Sequence, residues 1–352
     1  MNIPYRTRRV LNRVGTVVLA LTVLLVIVWL CLVIWLQRYI VYTDDGATVD
    51  FRISANEITG EVAVEPKAEA NIPIYYNEGA NAINVTHEME QIIGYYIDST
   101  MLQQDMQGVL SRIEKLDSST AIMVDMKGPY GSFFYPSALA NAVHSASTDV
   151  NAVQDLITKL QQKGFYTIAR ISTFRDREFG NNNVSSGLYM LNRKGLWMDK
   201  GGMYWLDPTN ATTTNWVASV VLELRDMGFD EVLLDDFCFP SSDQYIFNGD
   251  KTAALQNAAT TLISSCGASN FVLSFCVEDA AFTLPEDRCR LYLEGVSAAG
   301  IGQAASKVTL ENKQIGLVFI ADTGDTRYNE YSVLRSLYIS DVIEAINANA
   351  AS

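Results

Sequence analysis

From residue 91 onward, the sequence alternates short apolar segments with amphipathic helical patterns, and this alternation constrains the fold more than any other feature. In one such helix, Val153, Leu156 and Leu160 recur at helical spacing before Gly164, which suits a helix C-cap. Because strands that alternate with helices form crossover units, the pattern predicts a parallel sheet. The predicted strands are residues 92–97, 121–126, 165–174, 231–234, 270–277, 290–293 and 316–321.

The length of this region indicates a closed barrel. Roughly 260 residues follow residue 91, which is the usual size of a (β/α)8 barrel. We therefore expect an α/β fold with a TIM-like (β/α)8 barrel, complete or lacking one strand. The eighth strand is expected near residues 307–310, and residues 332–348 are expected to form a closing helix. An open doubly wound sheet is the alternative.

Acidic residues follow most of the predicted strands. Residues 228–240 read GFDEVLLDDFCFP, in which Asp235 and Asp236 come where a short apolar strand ends. Side chains alternate along a strand, so Asp235 should share a face with Leu233, Asp125 with Lys127, and Glu278 with Cys276. The carboxyl ends of barrel strands meet at one rim, where we expect these acids to collect. They are Asp98, Asp125, Asp235, Glu278, Glu294 and Asp322. The alternative is that such acids cap helices or face solvent.

Crowded carboxylates suit the hydrolysis of a glycosidic bond, in which one protonates the leaving oxygen while another attacks or activates water. Crowding raises carboxyl pKa values and so supplies the protonated acid. We expect Asp235 and Glu278 to be the catalytic pair. Arg170 and Lys127 would hold other acids ionised, although Arg170 fits a structural ion pair with a neighbouring strand equally well.

The segment 191–210, LNRKGLWMDKGGMYWLDPTN, combines aromatic and polar side chains. Trp205 offers a flat apolar face and Asp207 a hydrogen-bonding group, a combination that suits a sugar ring. The alternative is an aromatic lid over the core, in which Asp207 or Asn210 caps the next helix. For Asn210 we expect the cap.

The N-terminal region predicts a membrane anchor. Residues 14–36 contain no charge and are long enough to span a bilayer. Arginines precede this segment, which predicts a cytoplasmic N-terminus and an extracellular C-terminal domain at the cell membrane. The expected organisation is a basic tail over residues 1–13, the span over 14–36, a stalk over 37–90 and the barrel over 91–352. Residues 49–53 and 61–64 are expected to form a hairpin in the stalk.

Four segments resemble one known family. They are YTIARISTFRD at 166–176, GLWMDKGGMYWLDPTN at 195–210, GFDEVLLDDFCFP at 228–240 and AIMVDMKGPYGSFFY at 121–135. They are similar to a family of glycoside hydrolase-like proteins with a TIM-barrel domain, distantly related to alpha-amylase-type barrels. The residues that match family positions are Asp125, Lys127, Arg170, Asp176, Asp207 and Asp235. Two residues depart from the pattern, since Asp236 stands for a tyrosine and Cys238 for an arginine.

These observations predict a membrane-anchored, extracellular glycoside hydrolase-like protein that acts on a polysaccharide or cell-wall glycan. The alternative is a barrel that binds glycans or serves as a cell-surface scaffold without turnover. Besides the catalytic pair, the residues expected to contact substrate are Asp125, Lys127, Arg170, Asp176, Trp205, Asp207, Asp236, Glu294 and Asp322. A net charge of −14 argues against a nucleic-acid partner.

No cofactor or metal is expected, because the chain has only two histidines and no Cys-x-x-Cys motif. Four cysteines follow the apolar segment. If they form disulfides, the barrel favours Cys238–Cys276 and Cys266–Cys289, and the alternative is four unpaired buried thiols.

Overall fold

A computed structural model describes residue 29 and residues 40–43, 46–49, 89–268, 270–278, 282–284 and 288–340. The expected membrane segment, residues 14–36, lies outside this description except for Trp29. Within the described ranges, no helix is both long and apolar enough to cross a bilayer.

The chain divides into two compact units, residues 1–81 and 82–352. The first contains an antiparallel hairpin of Ile40–Thr43 and Gly46–Val49. The hairpin predicted at residues 49–53 and 61–64 lies outside the described residues except for Val49. That residue ends the second strand of the observed hairpin.

Eight parallel strands form a closed barrel in the second unit, which confirms the predicted fold class. Each strand pairs with its neighbour in chain order, and the first pairs with both the second and the eighth. The strands are β1 (Ile93–Ile97), β2 (Ala121–Lys127), β3 (Tyr166–Ser172), β4 (Glu231–Asp235), β5 (Val272–Cys276), β6 (Leu291–Glu294), β7 (Leu317–Ala321) and β8 (Ser332–Ser336).

Helices connect these strands, and acidic or amide side chains begin several of them. The helices are α1 (Ser99–Gln104), α2 (Met106–Ile113), α3 (Val150–Gln162), α4 (Arg177–Asn182), α5 (Ala211–Asp226), α6 (Lys251–Cys266), α7 (Ile301–Lys307) and α8 (Lys313–Gly316). Asn210 accepts the N–H of Thr212 at the start of α5, as expected. Asp98, one of the acids expected at the rim, is the N-cap of α1 and accepts the N–H of Met101.

Shorter elements lie in the connections between the barrel strands. Short strands are Ser132–Phe133, Val143–His144, Tyr189–Met190 and Tyr245–Ile246, and 3-10 turns cover Val184–Ser186 and Thr326–Glu330.

The eighth strand corrects the sequence-based prediction. Ser332–Ser336 is β8 rather than the start of a helix, and residues 308–310 form no regular element. Residues 341–348 of the predicted closing helix lie outside the described residues. Val333 packs in the layer between barrel and helices, whereas Leu334 packs inside the barrel. Because a barrel strand is buried on both faces, its apolar residues are consecutive. Together with Leu337, they imitate helical spacing.

Two apolar layers define which way each strand residue points. On β4, Val232 and Leu234 pack in the layer toward the helices, and Leu233 packs inside the barrel with Ile168 of β3. Asp235 lies two residues after Leu233 and therefore points to the barrel interior at the carboxyl end of the strand. This agrees with the predicted alternation.

The amino ends of the strands are closed by a buried polar cluster that sequence analysis did not identify. Glu231 is fully buried and accepts hydrogen bonds from Tyr292 at 2.7 Å, Tyr166 at 2.9 Å and Arg290. The Arg290 guanidinium also donates to the carbonyl oxygen of Glu90 at 2.9 Å. Charge and hydrogen-bonding capacity are therefore matched at this end of the barrel, as buried polar groups require.

We predict that Glu231→Gln lowers the free energy of unfolding by about 3–5 kcal/mol, because the variant leaves the Arg290 charge buried without a counter-charge. Urea unfolding at neutral pH measures the change. Glu114→Gln is the matched control, since its partner Lys159 lies 3.2 Å away on the exposed surface, where such pairs contribute about 1 kcal/mol or less. If both variants lost the same small amount of unfolding free energy, Glu231 would not be the counter-charge that Arg290 requires.

Candidate active site at the carboxyl ends of the strands

Arg170 of β3 joins acids from two other strands. Its Nε donates to Asp235 Oδ2 at 2.9 Å, and its Nη2 lies 2.7 Å from the same oxygen. Nη2 also donates to Glu294 Oε2 of β6 at 2.9 Å. Of the two roles considered for Arg170, the ion pair with a neighbouring strand is therefore present, and it extends across the barrel to β6.

Asp235 accepts hydrogen bonds from two kinds of donor. Besides Arg170, the thiol of Cys276 bonds to this carboxylate. Burial, followed by the negative charge of Asp235, holds the pKa of the Cys276 thiol well above its usual range, so the thiol keeps its proton. With donors from β3 and β5, Asp235 has the surroundings of an ionised acceptor.

Asp125 lies on β2, where it is in register with Arg170 of the neighbouring strand β3. It accepts the backbone N–H of Ser99 at 2.9 Å. Burial raises the pKa of the Asp125 carboxyl to about 6, and the charge of Arg170 and the Ser99 N–H oppose the shift. The site therefore contains a carboxyl group that gains or loses its proton near neutral pH.

Asp236 is the second acid of the adjacent pair, and its backbone has a φ of 51°. Burial, followed by the charge of Asp235, raises the pKa of the Asp236 carboxyl to about 6. Its Oδ2 lies 2.6 Å from the Ser172 hydroxyl. Asp235 and Asp236 are thus neighbours with different surroundings.

Glu278 is exposed and accepts a hydrogen bond from the Cys238 thiol. Burial, then the charge of Glu278, raises the pKa of that thiol. Among the described residues, Glu294 rather than Glu278 shares Arg170 with Asp235. The Cys238 thiol lies near both Glu278 and Asp236.

Cys238, Cys266 and Cys276 are free thiols, so neither expected disulfide forms in this structure. Cys276 and Cys238 instead contact the carboxylates of Asp235 and Glu278. Cys266 and Cys289 are buried among apolar side chains. Cys238, Cys266 and Cys276 thus follow the alternative of unpaired thiols.

Lys127 and Asp176 lie away from the exposed rim, which corrects the expectation that Lys127 shares a face of its strand with Asp125. Their side chains are 2% and 1% exposed and lie 2.8 Å apart. The register of β2 against β3 shifts between Asp125 and Lys127, which brings Lys127 beside Ile171 in the layer toward the helices. Because this bulge inserts one residue, the simple alternation fails there. The pair positions the end of β3 and the start of α4.

Trp205 and Asp207 are engaged by their own loop. Trp205 is 7% exposed, and its Nε1 donates to Asp199 Oδ2 at 3.1 Å. Arg175 donates to the same oxygen at 2.7 Å. Asp207 accepts from the N–H and hydroxyl of Thr209 in a local turn. The segment 191–210 therefore packs as an aromatic lid, which is the alternative to a sugar-binding surface.

The far wall of the site comes from β1 and β7. The Tyr96 hydroxyl donates to Asp322 Oδ1 at 3.1 Å, and Asp322 is exposed. Burial, followed by the charge of Asp322, raises the pKa of the Tyr96 hydroxyl. Sequence analysis did not identify Tyr96, because an aromatic residue in a strand is more often part of a core.

One group of side chains has the spacing of metal ligands. The ligand atoms of Asp235, Cys276 and Glu294 lie within 4.8 Å of one another. However, the guanidinium of Arg170 contacts both carboxylates, and Cys276 retains its proton. The positive charge that these acids need is therefore supplied by Arg170, and we do not identify them as metal ligands.

A family model described as "Putative glycosyl hydrolase domain" (DUF4015) matches residues 94–271, which are half of the chain. The chain belongs to this family, as the four sequence segments indicated. A search of curated proteins gives no significant match.

Solved structures resemble this chain at low sequence identity. An alpha-galactosidase from Lactobacillus brevis is 8% identical, with a TM-score of 0.50 over 76% of this chain and 40% of that chain. A hypothetical protein from Ruminiclostridium thermocellum ATCC 27405 is 20% identical, with a TM-score of 0.45 over 52% and 96%. The glycoside hydrolase domain of PelA from Pseudomonas aeruginosa is 12% identical, with a TM-score of 0.43 over 71% and 95%. At these identities, the likeness concerns the fold alone.

We predict that Asp125→Asn becomes more stable relative to the wild type as the pH rises from about 4 to 7. The folded-state pKa of Asp125 is raised to about 6 from 3.8, so the folded wild type binds the additional proton in this window and loses stability as the proton leaves. The relative gain should be about 1–3 kcal/mol. It is measured by urea unfolding at a series of pH values.

Asp155→Asn, on the exposed surface of α3, is the control and should show no such trend. A pH-independent difference between Asp125→Asn and the wild type would contradict the raised pKa.

Proposed function

We propose that this protein is a glycoside hydrolase that cleaves a polysaccharide by paired-carboxylate chemistry. One observation supports the proposal most strongly. Asp235 and Glu294 have oxygen atoms within 4.8 Å of each other and share Arg170 at the open end of a parallel barrel. Active sites of such barrels lie at this end, and two nearby carboxyl groups are what glycosidic cleavage needs.

Asp235 is the ionised group of the proposed mechanism. Its hydrogen bonds from Arg170 and Cys276 orient the carboxylate toward the barrel axis. There it stabilises the positive charge that develops on the sugar ring, by direct attack on the anomeric carbon or by activating water.

The second carboxyl group protonates the leaving oxygen. Glu278 was the partner expected from the sequence, and Glu294 is the one that lies against Asp235. Burial raises the pKa of the Glu294 carboxyl, while the charge of Arg170 opposes the shift. A raised pKa suits a proton donor, and among the acids near Asp235 both Glu294 and Asp236 have one. Asp125, Arg170, Asp236 and Asp322 complete the surface available to the sugar.

We further propose that residues 14–36 anchor the protein in the cell membrane, with the barrel outside the cell. The support is the uncharged apolar segment and the arginines that precede it. A polysaccharide or cell-wall glycan would then be the accessible substrate.

A glycan-binding barrel without turnover is the second candidate. It is favoured by the engagement of both Asp235 and Glu294 by one guanidinium, which reduces their freedom to react. It is also favoured by Cys238, which replaces the arginine of the family pattern. Such a protein would bind a polysaccharide and release no sugar.

We predict that the purified full-length chain releases reducing sugar from a cell-wall, capsular or α-glucan polysaccharide, and that Asp235→Asn slows release by about 10²-fold or more. Asparagine keeps the size of the side chain but removes the negative charge. Asp155→Asn on α3 should retain the wild-type rate. Release unchanged in Asp235→Asn would refute the site, and binding without release would favour the second candidate.

A further inference from the structure

The hydroxyl of Ser172 lies between two oxygen atoms. Its Oγ is 2.6 Å from Asp236 Oδ2 and 2.7 Å from the carbonyl oxygen of Arg175, both at hydrogen-bond distance. A serine hydroxyl has one hydrogen to donate, and a carbonyl oxygen can only accept. If Asp236 were ionised, two acceptor oxygens, Asp236 Oδ2 and the Arg175 carbonyl oxygen, would compete for that single hydrogen. A second hydrogen on Asp236 gives both contacts a donor, because Ser172 then donates to Arg175 and Asp236 donates to Ser172.

The cations near Asp236 are engaged by other acids. Arg170 is engaged with Asp235 and Glu294, and Arg175 donates its Nε to Asp199. Asp235 adds a negative charge next to Asp236 in the chain. The Cys238 thiol, the other titratable neighbour, bonds to Glu278. The charges of Arg175 and Arg170 oppose the rise in the pKa of Asp236, but burial and the charge of Asp235 outweigh them.

The backbone brings the two acids to the same rim. Consecutive residues of a strand point to opposite faces, so Asp236 would ordinarily turn toward the helices. Its φ of 51° lies in the left-handed region, which aspartate and asparagine tolerate better than most residues. This turn directs Asp236 to Ser172, which lies on β3 in register with Asp235. Both acids thus lie at the open end of the barrel, and both are partly exposed.

We propose that Asp236, rather than Glu294, is the proton donor of the site and is held as a neutral carboxylic acid by Ser172, an inference that rests on the proposed hydrolysis. Asp236 gives its proton to the glycosidic oxygen as the bond from that oxygen to the anomeric carbon breaks. The electron pair of the bond stays on the leaving oxygen, and Asp236 becomes a carboxylate. The water that completes hydrolysis gives its hydroxyl to the sugar and returns a proton to Asp236. The substrate class is a glycoside whose leaving group is another sugar, because such a group needs protonation to leave.

The protonation of Asp236 can be tested without any substrate. In the full-length protein labelled with ¹³C at aspartate carboxyl carbons, the signal absent from Asp236→Asn belongs to Asp236. Asparagine tolerates the same backbone conformation, so this variant should fold. We expect the Asp236 signal to titrate near pH 6, in agreement with its raised pKa. Titration at the usual aspartate pKa, near 4, would overturn the proposal.

Ser172→Ala decides the direction of the hydrogen bond. If Ser172 accepts from the neutral acid, its removal destabilises the protonated form, and the pKa of Asp236 falls. If Ser172 instead donates to a carboxylate, its removal raises that pKa, and this result would overturn the proposal. Thr148→Ala, at a buried hydroxyl bonded to Ser145, is the control and should leave the Asp236 titration unchanged.

Kinetics then test proton donation. With the polysaccharide that the wild type cleaves, the rate should fall as the pH rises above about 6, and Asp236→Asn should be about 10²-fold slower without that fall. A wild-type rate and pH profile in Asp236→Asn would overturn the inference and leave the proposed hydrolysis intact. If no polysaccharide is cleaved but Asp236 titrates near pH 6, the hydrolysis fails, and proton donation fails with it.

Discussion

The contact of Arg170 with Asp235 and Glu294 is the interaction on which the candidate site depends. One side chain from β3 reaches acids of β4 and β6 at 2.7–2.9 Å, in a position where that side chain is only 14% exposed. Without that positive charge, the acids of the rim would repel one another and would bind protons or separate. Arg170 therefore allows several carboxyl groups to remain close together at the open end of the barrel.

The two ends of the barrel handle buried charge differently. At the amino ends of the strands, Glu231 has a full set of partners in Arg290 and two tyrosines, and Glu231, Arg290 and Tyr292 are buried. At the carboxyl ends, the acids outnumber the guanidinium that holds them, and three of them, Asp125, Asp236 and Glu294, have raised pKa values. The first arrangement stabilises a fold. The second arrangement contains carboxyl groups that can gain and lose a proton, as catalysis requires.

The sequence predicted the strands and the acids of the rim because strand ends and side-chain alternation are local properties. Seven strands lie close to where the apolar segments place them, and Asp235 points inward with Leu233 as alternation requires. Glu294 was expected to contact substrate. Its contact with Arg170 could not be foreseen, since it depends on the reach of one side chain across the barrel.

The misplaced features each result from an event that periodicity does not encode. The bulge after Asp125 turned Lys127 toward the helices, and the left-handed backbone at Asp236 turned that acid back to the rim. In β8, burial on both faces produced consecutive apolar residues that resemble part of a helix. Tertiary packing decides all three, so a single sequence does not reveal them.

The most direct test of the account is a crystal structure of the Asp235→Asn protein with an oligosaccharide from the polysaccharide that the protein binds or cleaves. The account predicts a glycosidic oxygen within about 3 Å of a carboxyl group of the rim, at Asp236 or Glu294, and an anomeric carbon next to residue 235. A sugar bound elsewhere on the protein, with the acids still held by Arg170, would contradict it.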